Sequence, residues 1–230
     1  MKFKLRSFRA IDDIPTWRDY MEGHADVLRE FGIVNLTSHK EDWIENPNVY
    51  VIVAYDDKDH MIGGIKVHSF HPDFKLPVEL AIGELDPNIS SMVMKSQQNQ
   101  GAGEICGLWI AMSHGRLGLA HYLSRCAITL CPRIGCFDIY GISSPFTLNM
   151  FLQLGYNVIT ELGDQGNYEY PTKEFISTAV MISNTMDLPL ALEEHRERIK
   201  SLREQPKQQC SESLAKITIE INYNLSEVLS

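Results

Sequence analysis

No apolar run in the sequence approaches about 18 residues, so no membrane-spanning helix is expected. Positive charge is also short: 21 Lys and Arg stand against 30 Asp and Glu, a net charge of −9. Phosphate backbones and anionic lipid both require a clustered basic face, so neither nucleic acid nor membrane is expected as a partner. Cysteine is scarce, with five residues and no secreted-framework spacing, which fits thiols kept reduced in a cytoplasm. The opening MKFKLRSFRAID is basic but lacks the apolar stretch of a secretion signal. No GxxxxGK[ST] occurs, which argues against a P-loop. Cys126, Cys131 and Cys136 lie five apart, wider than zinc-holding pairs, and read as small buried apolar side chains. No metal is expected.

What is present suits a globular chain. The 230 residues, 44% hydrophobic, can bury about 70% of their unfolded surface and need no staple. Residues 2–9 alternate like a strand, and Asp12 or Asp13 with Pro15 opens a helix. That helix carries Trp17, Met21, Ala25, Leu28 and Phe31 at helical spacing and ends at Gly32. Residues 35–48 read as irregular, with a helical turn around Trp43. Val49–Tyr55 and His60–Phe70 form a hairpin, in which Gly63-Gly64 marks a bulge or a close approach. Between 71 and 103 the expectation is a long insert, with a short strand at Pro77–Ile82 and a helix at Ile89–Gln98. Strands follow at Glu104–Ala111, Phe137–Ile142, Tyr156–Leu162 and Phe175–Ser183, with helices at Leu119–Leu130 and Phe146–Leu154. Beyond Asp187 come a charged helix, a linker over 205–213, and an alternating edge strand, Lys216–Tyr223. Two parts are expected: 1–186 as the main domain and 187–230 as a helix-strand extension.

The chemically informative segment is the strand that runs into Ser113-His114-Gly115-Arg116-Leu117-Gly118 and then a helix. A helix N-terminus offers unpaired N–H groups and partial positive charge, and glycine lets a pyrophosphate approach the backbone. An ordinary strand-helix turn gives the same pattern. The spacing GxxGxA is not GxGxxG, which weakens a dinucleotide-binding reading.

Glu104-Ile105-x-x-Leu108-x-Ile110 followed by Gly115–Ala120 resembles the acyl-CoA-binding strand-loop-helix of the GCN5-related N-acetyltransferases. FLQLGYNV, Phe151–Val158, is similar to that family's second signature. The resemblance implies an α/β (α+β) fold with a mixed, mostly antiparallel central sheet flanked by helices. It implies acetyl-CoA or another acyl-CoA as co-substrate and a small-molecule or peptide amine as acceptor. The backbone of Leu108, Ile110, Ala111 and Met112 would hold pantetheine, and the N–H groups of Gly115, Arg116, Leu117, Gly118, Leu119 and Ala120 the pyrophosphate. A backbone N–H near Ile110 would polarise the thioester, with Glu104 as base.

The sequence departs from the family at three places. Gly115 stands where Gln or Arg is usual, Phe151 where a proton-donating tyrosine is usual, and Ser144 where Asn is often found. The functional expectation is N-acyl transfer by direct attack of an amine. The alternative is a non-catalytic acyl-CoA-binding or interaction module. His68 and His71, three apart on a strand, face opposite sides, and are expected on the surface or in an acceptor pocket rather than on a metal. His114 is expected to touch a CoA phosphate or to be exposed. Glu193–Arg198 reads as a solvated helix face, with a homodimer contact as the alternative.

Overall fold

The computed structural model describes residues 1–33, 37, 41–214 and 217–229. In chain order the elements begin with β1 (Lys2–Arg9), α1 (Ile14–Glu30), β2 (Val49–Tyr55), β3 (Met61–Ser69), α2 (Pro77–Ile82) and α3 (Asn88–Asn99). They continue with β4 (Ala102–Ile110), α4 (Leu119–Leu130), β5 (Asp138–Ser143), α5 (Pro145–Gln153), β6 (Asn157–Val158), β7 (Asn167–Glu169) and β8 (Ile176–Ser183). The chain closes with α6 (Glu193–Glu204), β9 (Lys207–Leu214), β10 (Ile217–Asn224) and α7 (Ser226–Leu229). The strands join one sheet in the order β6-β8-β5-β4-β3-β2-β1-β10-β9, with β7 on β8. Two neighbouring pairs, β4–β5 and β1–β10, are parallel and the others antiparallel. This is the expected mixed, mostly antiparallel sheet flanked by helices.

Strand alternation divides the core between the two faces. On one face Ile65, Val67 and Ile105 pack with Leu119, Tyr122 and Leu123 of α4. On the other, Val51, Val53 and Trp109 pack with Trp17, Tyr20 and Met21 of α1. The Asp13 carboxylate accepts from the Thr16 N–H at 3.2 Å and opens α1. Gly32, at φ +71°, closes it, and the Ile33 N–H returns to the Leu28 carbonyl at 2.9 Å. The buried residues of α1 are Trp17, Tyr20, Met21 and His24. Phe31, expected in that stripe, is exposed, because the last turn leaves the sheet.

Several sequence expectations are corrected. Pro77–Ile82 is helix, not strand: Pro77 takes the first helical position, and the Glu79 side chain accepts from the Leu76 N–H at 2.9 Å. The insert is therefore two helices, whose Val78, Ile82, Ile89 and Val93 pack on Ala102 and Tyr140. The strand expected over 156–162 shrinks to Asn157–Val158. The linker expected over 205–213 is β9; its polar sequence hid a strand that needs little apolar content at a sheet edge. Lys216, expected to start the last strand, lies outside the described residues, as do 35, 36 and 38–40 of the irregular stretch.

Glu193–Arg198 is also not a wholly solvated face. His195 is fully buried, and its Nδ1 accepts from Nε of Arg125 at 2.9 Å. Arg125 also donates to Glu212 at 2.9 Å, and Arg198 and Tyr223 reach the other Glu212 oxygen at 2.7 and 2.9 Å. This buried network ties α6, β9 and β10 to α4. Burial and the neighbouring Arg125 hold His195 down at about 4, so it stays neutral.

Candidate active site

The site begins with a fork. β4 and β5 pair only over Ala102–Glu104 against Asp138–Tyr140. Beyond that point β3 holds β4 as far as Ile110, and β8 holds β5 as far as Ser143. The two parallel strands therefore diverge, and their facing edges carry no ladder. Gly141 sits at the vertex, where a Cβ would lie 3.3 Å from the Ile105 carbonyl oxygen. Cys106, Gly107 and Leu108 are partly exposed along the opening, unlike the buried residues before them.

A bulge lies on the β4 arm of the fork. Gly64 pairs with Trp109 and Lys66 with Cys106, so β4 carries one extra residue. Gly107 is in the left-handed region at φ +64°, where glycine carries no Cβ penalty. Tyr20 donates its hydroxyl to the Gly107 carbonyl at 2.6 Å. The Gly63-Gly64 pair marks the close approach: Tyr20 covers Gly64, and the Trp109 carbonyl covers Gly63. The bulge itself is on the facing strand. Ile110, the expected place of a polarising N–H, lies in the regular ladder opposite Gly63, and the bulge falls at Gly107 and Leu108.

At the mouth of the fork the chain passes through Ala111 and Met112, turns, and enters α4 at Gly118, φ +77°. Among the described residues, the N–H groups of Arg116, Leu117, Gly118, Leu119 and Ala120 have no acceptor. They form a row of donors at a helix N-terminus, a ready anion site. Gly115 and Arg116 are exposed, and Arg116 adopts φ +63°, an uncommon conformation for a side-chain-bearing residue. His114 is half-buried; its ring meets the edge of Phe3 at 6.0 Å and its Nδ1 lies 2.9 Å from the Ser113 hydroxyl.

The α1 face of the fork carries a buried polar seam. His68 pairs across the strands with Glu104, and Lys66 with Cys106. Glu104 is 2% exposed, and its carboxylate accepts from the Val78 N–H at 2.5 Å. It is therefore not a solvated strand-end acid. Burial raises its pKa to about 8, against the pull of that hydrogen bond and of Lys66. Burial lowers Lys66 to about 8, and its Nζ sits 5.2 Å from the Trp17 ring and 5.9 Å from Trp43. His68 is fully buried against Trp43, ring centroids 4.6 Å apart, so the surface option is overturned. Among the described residues neither His68 ring nitrogen has a hydrogen-bond partner, and burial followed by Lys66 keeps its pKa well below the usual range. Above the seam the Trp43 indole donates to the Thr37 carbonyl at 3.0 Å, and Thr37 meets the Tyr170 hydroxyl at 2.8 Å.

The remaining candidates fall into place around this frame. Ser144 is the N-cap of α5, yet its hydroxyl does not cap; it lies 3.1 Å from the Thr147 hydroxyl. Phe151 is buried on the α4 side, with its ring against Tyr156 at 5.0 Å. The Tyr156 hydroxyl is buried without a partner among the described residues. Cys126, Cys131 and Cys136 are buried, as expected. Sequence reasoning missed Lys66, Tyr20 and Gly107. The signals were a lysine at an inward position of IKVHSF and a glycine inside a strand.

No family model and no curated protein sequence matches the chain. Solved structures do. FeeM, an N-acyl amino acid synthase from uncultured soil microbes, is 14% identical with a TM-score of 0.63, over 83% of this chain and 95% of that one. The CoA-dependent acyl-homoserine lactone synthase BjaI, with SAM and isopentyl-CoA, is 12% identical with a TM-score of 0.54, over 98% and 96%. An acyl-CoA N-acyltransferase from Pseudomonas aeruginosa is 10% identical with a TM-score of 0.52, over 79% and 99%. At these identities the likeness is one of fold: the chain has the GCN5-related N-acetyltransferase fold.

Proposed function

We propose that this protein is an acyl-CoA-dependent N-acyltransferase, transferring most simply an acetyl group to a primary amine. The observation that carries this reading is the fork between β4 and β5, with the unpaired N–H row of Arg116–Ala120 at its mouth. The pantetheine arm enters the fork and lies along the free edge of β4, at Leu108, Ile110 and Met112, like an added strand; Ala111 takes no part, because its N–H donates to the Ile62 carbonyl and its carbonyl accepts from the His114 N–H. The row of N–H groups holds the pyrophosphate, and Arg116 adds charge.

The bulge at Gly107 and Leu108 turns a backbone N–H toward the thioester carbonyl, where negative charge develops during attack. Tyr20 fixes that bulge by holding the Gly107 carbonyl. Glu104, on the α1 face one turn of the pleat away, takes the proton that the amine must lose. Its pKa of about 8 suits a base working near neutral pH. The ring at 151 carries no hydroxyl, so the departing thiolate takes its proton from elsewhere; a thiol is acidic enough to leave without a dedicated donor. FeeM, an N-acyl amino acid synthase, and BjaI, an acyl-homoserine lactone synthase with SAM and isopentyl-CoA, share this fold and support an amine acceptor.

The test is turnover of acetyl-CoA with a panel of amines, comparing wild type with Glu104→Gln. The reading expects product from wild type and a rate at least tenfold lower in the variant at neutral pH. Acetyl-CoA binding with no product from any amine would instead leave a non-catalytic binding module.

A further inference from the structure

Lys66 of β3 lies beside the bulge of β4. Lys66 is fully buried and reaches over β4 toward the fork. Its Cε lies 3.3 Å, and its Cγ 3.6 Å, from where a Cβ on the bulge residue Gly107 would stand. Its Nζ is one bond further on, framed by the indoles of Trp17 and Trp43. Among the described residues, the groups facing it include Glu104 and Cys106 of β4, His68 of its own strand, and the hydroxyl of Tyr20 on Gly107. An amine and a carboxylate therefore lie on one face of the sheet, beside the bulge of β4.

We infer that Lys66 is an internal acyl acceptor, which the protein modifies on its ε-amine with the acyl group of acyl-CoA bound in the fork. The inference rests on the acyl-CoA placement proposed above. In this step the Lys66 ammonium loses a proton through water to Glu104, the carboxylate on the same face of the sheet. The freed lone pair bonds to the thioester carbonyl carbon, and the carbon–sulfur bond breaks. CoA leaves as a thiolate, which is protonated by Glu104 or water. The products are one Nε-acyl-lysine and one CoA thiol, with the ammonium's second proton lost to solvent as the amide forms. The modification removes the cation between the two indoles.

The experiment is incubation of the full chain with acetyl-CoA, followed by intact mass and peptide mapping. Acetyl-CoA binding is measured calorimetrically on the same sample. The expected result is one acetyl group per chain, on Lys66, absent from urea-unfolded protein, absent from Lys66→Arg and slowed at least tenfold in Glu104→Gln. Acetyl-CoA that binds while Lys66 stays unmodified overturns the inference and leaves the proposed function standing. So does acetylation spread over exposed lysines equally in folded and unfolded chains. Absence of acetyl-CoA binding overturns the proposed function, and the inference with it. Because the wild-type map locates the acetyl group, the result does not depend on the variants folding.

Discussion

The hydroxyl of Tyr20 donates a 2.6 Å hydrogen bond to the carbonyl of Gly107, 87 positions away in the chain. It joins the middle of α1 to the bulge of β4. The bulge leaves that carbonyl without a ladder partner at the point where the reacting thioester is proposed to sit. Tyr20→Phe removes the donor and leaves a half-buried carbonyl without it. The expected cost is about 1–3 kcal/mol of stability, read by urea unfolding. Acyl-CoA affinity is expected to fall with it, because the bulge N–H loses its fixed direction.

Gly107→Ala is expected to be worse. The residue is at φ +64°, and a Cβ there would collide with the Tyr20 hydroxyl and press on Lys66. Backbone strain and overpacking together are expected to cost on the order of 2–4 kcal/mol, measured by the same unfolding titration. A cost below about 1 kcal/mol would show that the bulge is not held as described.

Stability should depend on pH through the buried seam. Glu104 titrates near 8 when folded and near its ordinary 4.5 when unfolded. Between those values the folded chain holds a proton the unfolded chain has lost, so stability falls as pH rises. Lys66, lowered from 10.5 to about 8, acts oppositely above pH 8, where stability recovers. His68, neutral when folded, also raises stability with pH, but only up to about its ordinary 6.5. The Glu104 effect is therefore read between pH 6.5 and 8, as the difference between wild type and Glu104→Gln. The slope of that difference is expected to be negative and at most about 1.4 kcal/mol per pH unit. A flat difference would mean that Glu104 is ionised in the folded protein.

The buried network around Glu212 predicts a strong, local effect. Glu212→Ala leaves Arg125 buried without its carboxylate, a loss of about 3 kcal/mol. Hydrogen exchange should show β9, β10 and α6 loosened while the hairpin of β2 and β3 stays protected.

Much of the fold was legible because local signals agreed. Leu119–Leu130 is helical as its apolar spacing indicated, and the Val49–Tyr55 hairpin arm stands as its β-branched run indicated. The elements misread were those whose signal was weak or tertiary. Pro77–Ile82 is short enough that apolar content alone does not distinguish helix from strand, and Pro77 was the better guide. β9 has few apolar residues and exists because β10 pairs with it. The glycine loop and Glu104 could be singled out by residue type and order. Lys66 and His68 could not be placed, because their burial depends on tryptophans brought in from residues 17 and 43.

The central claim is that the fork and the N–H row of Arg116–Ala120 hold an acyl-CoA. Calorimetric titration with acetyl-CoA, with NAD and ATP as controls, tests it most directly. The account predicts saturable micromolar binding of acetyl-CoA and no heat from either control. Silence toward acetyl-CoA, succinyl-CoA and a long-chain acyl-CoA alike would contradict it.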